Sequence, residues 1–356
     1  MRYALIGCGR IAINHMRAAH NNGLEFVGLC DVDLQHLNTL VGKCDFDASK
    51  YPVYEDYKKM IEEQKPELVA VATESGKHAE IALYCIEHNI HVIIEKPMAM
   101  SIDDAQKMID EAKKHNVKIC VCHQNRFNAA VMATKRAIDD NRFGKISHAS
   151  ICVRWNRGKD YYDQAKWRGT WAEDGGTLMN QCIHGIDLLL YLVGSPVETV
   201  YGQTRQQFHH YLEAEDIGMS VLSFKNGAIG TIEGTVNVFP KNLEETLFIF
   251  GEKGTVKIGG TSTNTIDVWQ FADEKDYDKD CVGLVEQTSN VYGNGHTLLY
   301  KDMIDSIVHN RKPLISGEEG KNALEIVLSI YKSELEGQKV TLPLHKFASL
   351  DMKGHF

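Results

Sequence analysis

Tyr3-Ala4-Leu5-Ile6-Gly7-Cys8-Gly9-Arg10-Ile11-Ala12 decides the fold: an apolar run, a glycine turn, then a helical pattern over about 11–22. A strand–turn–helix in that order is where a GxGxxG/A turn has work to do. Gly7 makes the tight turn, Gly9 lets a pyrophosphate approach the backbone, and Ala12 still permits close packing of helix on strand. The turn residues Arg10 and Ile11 open the helix, whose N-terminus offers N–H donors and a positive dipole to phosphate. Asp31 stands 22 residues after Gly9, at the end of the second strand, where a carboxylate accepts the hydroxyls of the adenosine ribose. The next four residues hold no Lys or Arg for a 2′-phosphate, and Asp33 would repel one, which selects NAD over NADP. Asp31 has a second reading as the cap of a helix beginning near Leu34, and the two roles are compatible.

Working outward, apolar runs at 3–6, 26–30, 68–72, 91–94 and 117–122 read as strands, with helical spacing at about 34–42, 55–64, 77–89 and 102–115 between them. Runs apolar throughout, such as 68–72, imply burial on both faces, hence a doubly wound parallel sheet of Rossmann type over 1–123. Beyond a helix at about 128–140 the pattern changes to longer alternating stretches, at 146–155, 197–209, 216–224, 228–238, 244–250 and 254–259, with short Gly-bearing turns. Helical spacing returns at about 177–193, 296–310 and 318–336. The expectation for 124–356 is an α+β domain on a largely antiparallel, open sheet, serving substrate binding and oligomerisation. A chain of 356 residues with 43% hydrophobic and 24% charged residues suits two such domains. Its net charge of −9 disfavours nucleic acid and anionic membrane as partners, so an anionic ligand must be caught locally. Nine scattered cysteines without a CxxC speak against a disulfide scaffold or a zinc ribbon, and a reducing cytoplasm is the expected location.

Strand five ends in Glu95-Lys96-Pro97, placing an ionisable lysine at the carboxyl edge of the sheet, where doubly wound folds bind ligands. Together with Gly7-Cys8-Gly9, this triplet resembles the signature of the Gfo/Idh/MocA oxidoreductase family, whose members act on sugars and cyclitols. The likeness extends to Gly175-Gly176-Thr177-Leu178-Met179-Asn180-Gln181-Cys182-Ile183-His184 and to the late His296-Thr297-Leu298-Leu299-Tyr300. It implies that Lys96, Asn180 and His184 are the catalytic group, with no metal required. Asn180 and His184, four apart, would share one helix face. Many relatives carry Asp at the Asn180 position; an amide suits orienting the substrate, leaving His184 as proton acceptor. The resemblance further places Thr73, Glu95, Lys96 and Gln124 among the NAD contacts, and implies a homodimer or homotetramer formed through the open sheet face.

Between Arg154 and Trp171 stand three of the four tryptophans, Tyr161 and Tyr162, and five basic residues including Arg157, Lys166 and Arg168. Aromatic faces stack on a sugar or a base, and guanidinium forks bind carboxylate or diphosphate, so the segment reads either as a trap for an anionic sugar nucleotide or as a packed interface loop. With His123-Gln124-Asn125-Arg126-Phe127-Asn128, it resembles the branch that oxidises carbon 3 of UDP-N-acetylglucosamine or its uronic acid. That branch implies substrate contacts at Arg126, Asn128, Arg157, Tyr161, Lys166, Asn180, His184 and His296. Trp167 and Arg168 are divided between substrate and nicotinamide. Rival readings are an NAD-dependent glycosidase, which recycles its cofactor, a dehydrogenase of a free sugar or cyclitol, and a non-catalytic NAD sensor.

Overall fold

The computed structural model describes residues 1–287 and 295–356, which divide into two compact units. The first takes in Met1–Ala99, Asp103–Cys122 and His296–Lys321; the second takes in Met100–Ile102, His123–Gly295 and Asn322–Phe356.

The first unit is built on β1 (Arg2–Ile6), β2 (Glu25–Cys30), β3 (Val53–Tyr54), β4 (Leu68–Val71), β5 (His91–Ile94) and β6 (Ile119–Val121), all parallel, in the order β3-β2-β1-β4-β5-β6. Helices α1 (Ala12–Asn21), α2 (Leu34–Lys43), α3 (Tyr57–Gln64), α4 (His78–Glu87) and α5 (Ile102–Lys114) connect them. Leu68, Val69, Ala70 and Val71 have no exposed surface, the burial on both faces that their unbroken apolar run requires. Strand order reverses between β1 and β4, so the ends of these two strands form the crevice in which doubly wound sheets bind ligands.

In the second unit α6 (Ala129–Asp139) precedes β7 (Ile146–Arg154), and three short helical pieces follow: α7 (Lys159–Tyr162), α8 (Thr177–Asn180) and α9 (Ile183–Val193). The strands β8 (Val197–Arg205), β9 (Ile217–Phe224), β10 (Ile229–Thr235), β11 (Glu244–Gly251), β12 (Gly254–Gly259) and β13 (Thr265–Phe271) come next, then the short α10 (Asp278–Cys281). The chain then returns to the first unit for α11 (Gly295–Val308) and the start of α12 (Gly317–Glu336), and the rest of α12 and β14 (Val340–Thr341) lie in the second. The eight-stranded sheet runs β13-β12-β11-β7-β10-β9-β8-β14, antiparallel except where β10 lies parallel to β7. One face buries Ile151, Val153, Leu247 and Ile249. On α9, Gly185 has no side chain to hold the helix off: an added Cβ would stand 2.8 Å from Ile151. Among the described residues, no helix is long and apolar enough to cross a membrane.

The single helix expected over 177–193 is two helices. Cys182 N–H donates to the Thr177 carbonyl, five residues back, and Ile183 begins a new helix. The strand β13, whose Thr265-Ile266-Asp267-Val268 follows a turn of small polar residues, lies outside the stretches expected as strands.

Candidate functional site

In the first unit the glycine turn is held by three backbone constraints. Gly7 has φ +92°, and a Cβ there would stand 2.4 Å from the Ala72 carbonyl carbon, so β1 and β4 can approach only with glycine between them. Gly7 N–H donates to the Cys30 carbonyl (2.8 Å) and Cys8 N–H to Asp31 Oδ2 (2.7 Å), which ties the turn to the end of β2. The other oxygen of Asp31 accepts from Asp33 N–H at 2.9 Å. The cap of α2 is Asp33, whose side chain accepts from Gln35 N–H; Asp31 is thereby left to the turn.

These residues fit a dinucleotide. A Cβ added at Gly9 would meet nothing within 4 Å, so the space above the turn stays open to a pyrophosphate. The N-terminus of α1 has no side-chain cap and no acid in its first turn, so its positive end faces phosphate without a competing carboxylate. Arg10 is exposed at the turn and Ile11 partly so. Across the crevice, buried His78 bridges two strand ends, its Nδ1 2.8 Å from the Pro97 carbonyl and its Nε2 3.1 Å from that of Thr73. Lys96 follows β5, partly exposed, with its N–H on Glu95 Oε2 at 3.2 Å.

In the second unit the helix pair α8–α9 carries Asn180 and His184. Its entry is fixed by Glu215: Leu178 N–H donates to Glu215 Oε1 (2.8 Å), as does the Tyr331 hydroxyl (2.9 Å). Gly176 lies directly on this carboxyl, where a Cβ would stand 1.5 Å from Oε2, so only glycine fits. Burial pushes the Glu215 carboxyl up to about 8, keeping it neutral at pH 7. Asn180 Nδ2 donates to Asp174 Oδ1, which fixes the amide nitrogen. His184, 7% exposed, meets the ring of His123 edge-on at 5.7 Å.

The basic aromatic segment forms a stack. The Arg157 guanidinium lies 4.8 Å from the Trp155 ring and 5.2 Å from Tyr161; that of Arg168 lies 4.4 Å from Tyr161 and 4.6 Å from Trp167. Arg168 Nη1 donates to Tyr161 OH at 2.6 Å, and Arg157 Nη1 to Asn242 Oδ1 at 2.9 Å. Among the described residues no carboxylate pairs with Arg157, Lys166 or Arg168, and Lys166 is exposed. His209 anchors the segment, its Nε2 donating to the Arg157 carbonyl (2.6 Å) and its Nδ1 facing Asp216 Oδ2 (3.1 Å). Burial pulls the His209 pKa down, but Asp216 and the Arg157 carbonyl outweigh it and hold it above its ordinary value.

Three residues expected to touch substrate have other partners. Arg126, 2% exposed, forms a two-point ion pair with Asp187 (2.8 and 2.6 Å) and stacks on Tyr191, which consumes its fork. Asn128, 1% exposed, donates to the Ser262 carbonyl at 3.0 Å. His296 belongs to the first unit, buried against Glu95. Of the expected cofactor contacts, Glu95 turns its carboxylate toward His15 and His296, and Gln124 is buried in the second unit. Sequence reasoning passed over Asp174, His209, Glu215, Asp216 and Tyr331; only Asp174, beside Gly175-Gly176, had a local signal.

Comparison with known proteins gives the family. A family profile described as "Oxidoreductase family, NAD-binding Rossmann fold" matches residues 1–123, and its companion, "Oxidoreductase family, C-terminal alpha/beta domain", matches 135–342. The solved structure of the WlbA dehydrogenase from Bordetella pertussis, in complex with NADH and UDP-GlcNAcA, superposes with a TM-score of 0.86 at 36% identity, covering 96% of this chain and 99% of that one. Myo-inositol 2-dehydrogenase of Thermotoga maritima is 24% identical over 96% of this chain and 98% of its own length. D-glucoside 3-dehydrogenase of Escherichia coli is 27% identical over 65% of this chain and 66% of its own.

Proposed function

Because this chain belongs to the Gfo/Idh/MocA oxidoreductase family and carries its NAD-binding Rossmann domain, we propose that it is a dehydrogenase oxidising carbon 3 of a UDP-N-acetylhexosamine or its uronic acid. The observation that carries the substrate is the stack of Arg157 and Arg168 on Trp155, Tyr161 and Trp167, with no carboxylate partner for either guanidinium among the described residues. In a chain of net charge −9, two such groups set among aromatic rings suit a ligand with both anionic and planar parts. Similarity to the WlbA dehydrogenase, solved with UDP-GlcNAcA, supports the same class.

Bound NAD supplies the hydride acceptor. Lys96 stabilises the negative charge that develops on the reacting oxygen. Neutral His184 takes the hydroxyl proton. Asn180, its amide nitrogen held by Asp174, orients the sugar by accepting a hydroxyl hydrogen at Oδ1. Asp31 holds the adenosine ribose, and Gly9 with the start of α1 takes the pyrophosphate. The proposal includes self-association through the uncovered sheet face, where Tyr201, Met219, Val221 and Ile229 are exposed; sedimentation velocity of a Val221→Glu variant tests it by a fall in mass.

The test incubates purified protein with NAD and either UDP-N-acetylglucosamine or its uronic acid, with and without 2-oxoglutarate, recording NADH absorbance and product mass. Loss of two mass units from one sugar supports the proposal and chooses between neutral sugar and uronate. Silence in every arm, with NAD binding demonstrated, overturns the substrate class. Sugar release from a glycoside without net NADH favours the glycosidase.

A further inference from the structure

Behind the Glu95-Lys96 corner lies a buried polar chain within the first unit. Tyr3 OH lies 2.9 Å from Tyr300 OH, Tyr300 OH 2.7 Å from His15 Nδ1, and His15 Nε2 3.0 Å from Glu95 Oε1. His296 Nε2 stands 3.5 Å from the same oxygen, and Glu95 Oε2 accepts the backbone N–H of Lys96. His15, Tyr3 and Tyr300 have no exposed surface. Burial pushes the Glu95 carboxyl up, but His15 and His296 outweigh it and hold it well below the usual carboxylate range. Burial also pulls His15 down and raises both tyrosines, so the imidazole is neutral and the phenols keep their protons.

These states fix the direction of every hydrogen bond. An ionised carboxylate only accepts, so the His15 proton sits on Nε2; Nδ1 then accepts from Tyr300, whose oxygen accepts from Tyr3. The chain is a one-way series of donors ending on a buried negative charge one residue from Lys96. The other titratable groups facing this corner are Cys122, a protonated thiol whose burial raises it, and His78, which senses both Glu95 and Lys96.

We propose that Glu95, held through His15 and Tyr300, is a positioning residue for Lys96: it fixes the lysine's backbone and sets a negative charge beside it that favours the ammonium form. This rests on the reading of Lys96 given above. The fixed charge is the part a merely structural role does not share. Loss of a buried unit charge one residue from the lysine lowers its pKa by on the order of one unit.

The test uses two readouts on the whole protein. The first is the pH dependence of Lys96 acylation by an amine-reactive reagent, followed by peptide mass spectrometry, in wild type, Glu95→Gln and His15→Gln. The second is the alkaline limb of kcat, with NAD affinity as a folding control. Glu95→Gln moves both midpoints down by on the order of one pH unit while NAD binds within threefold, and Glu95→Asp restores part of the shift. Unmoved midpoints in a variant that binds NAD overturn the proposal, as does a stoichiometric metal ion found on His15, Glu95, Cys122 and His296. Failure of the Lys96 reading shows separately: Lys96→Met then keeps its activity whatever Glu95→Gln does to the labelling midpoint.

Discussion

The two units hold their candidate groups by different means. In the first, the groups proposed to meet the cofactor are mainly backbone: Gly7 where nothing larger fits, Gly9 under open space, the start of α1 without a side-chain cap, and one carboxylate tied to the turn. In the second, side chains far apart in sequence support side chains: Glu215 and Tyr331 under α8, Asp174 on Asn180, His209 and Asp216 behind Arg157. A backbone site demands a few glycines at fixed spacing and tolerates change elsewhere. A side-chain site is free to vary its groups one at a time, which suits the unit proposed to choose the substrate.

The sharpest break between the units is Lys96→Met. Turnover falls about 10³-fold with NAD affinity unchanged, because the lost ammonium acts on charge that develops only during reaction. A fall of less than tenfold, by initial rates under saturating NAD, removes the lysine from the chemistry. Arg157→Ala or Arg168→Ala raises KM about 30-fold, as loss of one charge-assisted bond of roughly 2 kcal/mol dictates. If KM moves alike for UDP-N-acetylglucosamine and its uronic acid, the guanidinium meets the diphosphate; if only the uronate is affected, it meets the carboxylate. Asp31→Asn weakens NAD about tenfold by calorimetry and leaves the sugar KM in place. A larger effect on the sugar than on NAD would erase the contrast between the units.

This contrast also explains what could be read from the sequence. Gly7, Gly9 and Asp31 lie on one strand–turn–helix–strand, so spacing alone carried the Rossmann domain and its NAD. Lys96 and His184 are proposed from the short strings around them. Arg126 is read as a substrate contact from the string around it, whereas its ion-pair partner Asp187 stands 61 residues away, beyond any local pattern. The carboxyl under Gly176 is 39 residues on, in Glu215, and Tyr331 is farther still; nothing local marks either residue. Helix α8 ends where Cys182 N–H reaches back five residues to the Thr177 carbonyl, a backbone detail that an apolar pattern running through 177–193 does not show.

The smallest expected effect separates the units by pH. Glu215 and Glu245 are wholly buried in the second unit and pushed up to about 8, from 4.5 for an ordinary glutamate. Between these values the unfolded chain has given up both protons and the folded unit has kept them, so stability falls as pH rises, by up to about 1.4 kcal/mol per unit for each group. His209 adds to the trend: its raised pKa gives stability that is complete below about 6.5, the unfolded value, and is lost as pH climbs through the folded one. Glu95, held low in the first unit, does the opposite; its contribution is present above the unfolded carboxylate value and is lost on acidification. Hydrogen exchange read unit by unit therefore shows the second unit opening more readily at pH 8 than at pH 6, and the first opening more readily near pH 3. Glu245→Gln keeps the neutral polar shape and removes the titration, so it raises Tm at pH 8 by several degrees and leaves Tm at pH 5 nearly unchanged. An equal gain at both values would mean that the carboxyl is already ionised in the folded unit, and that the slope comes from elsewhere.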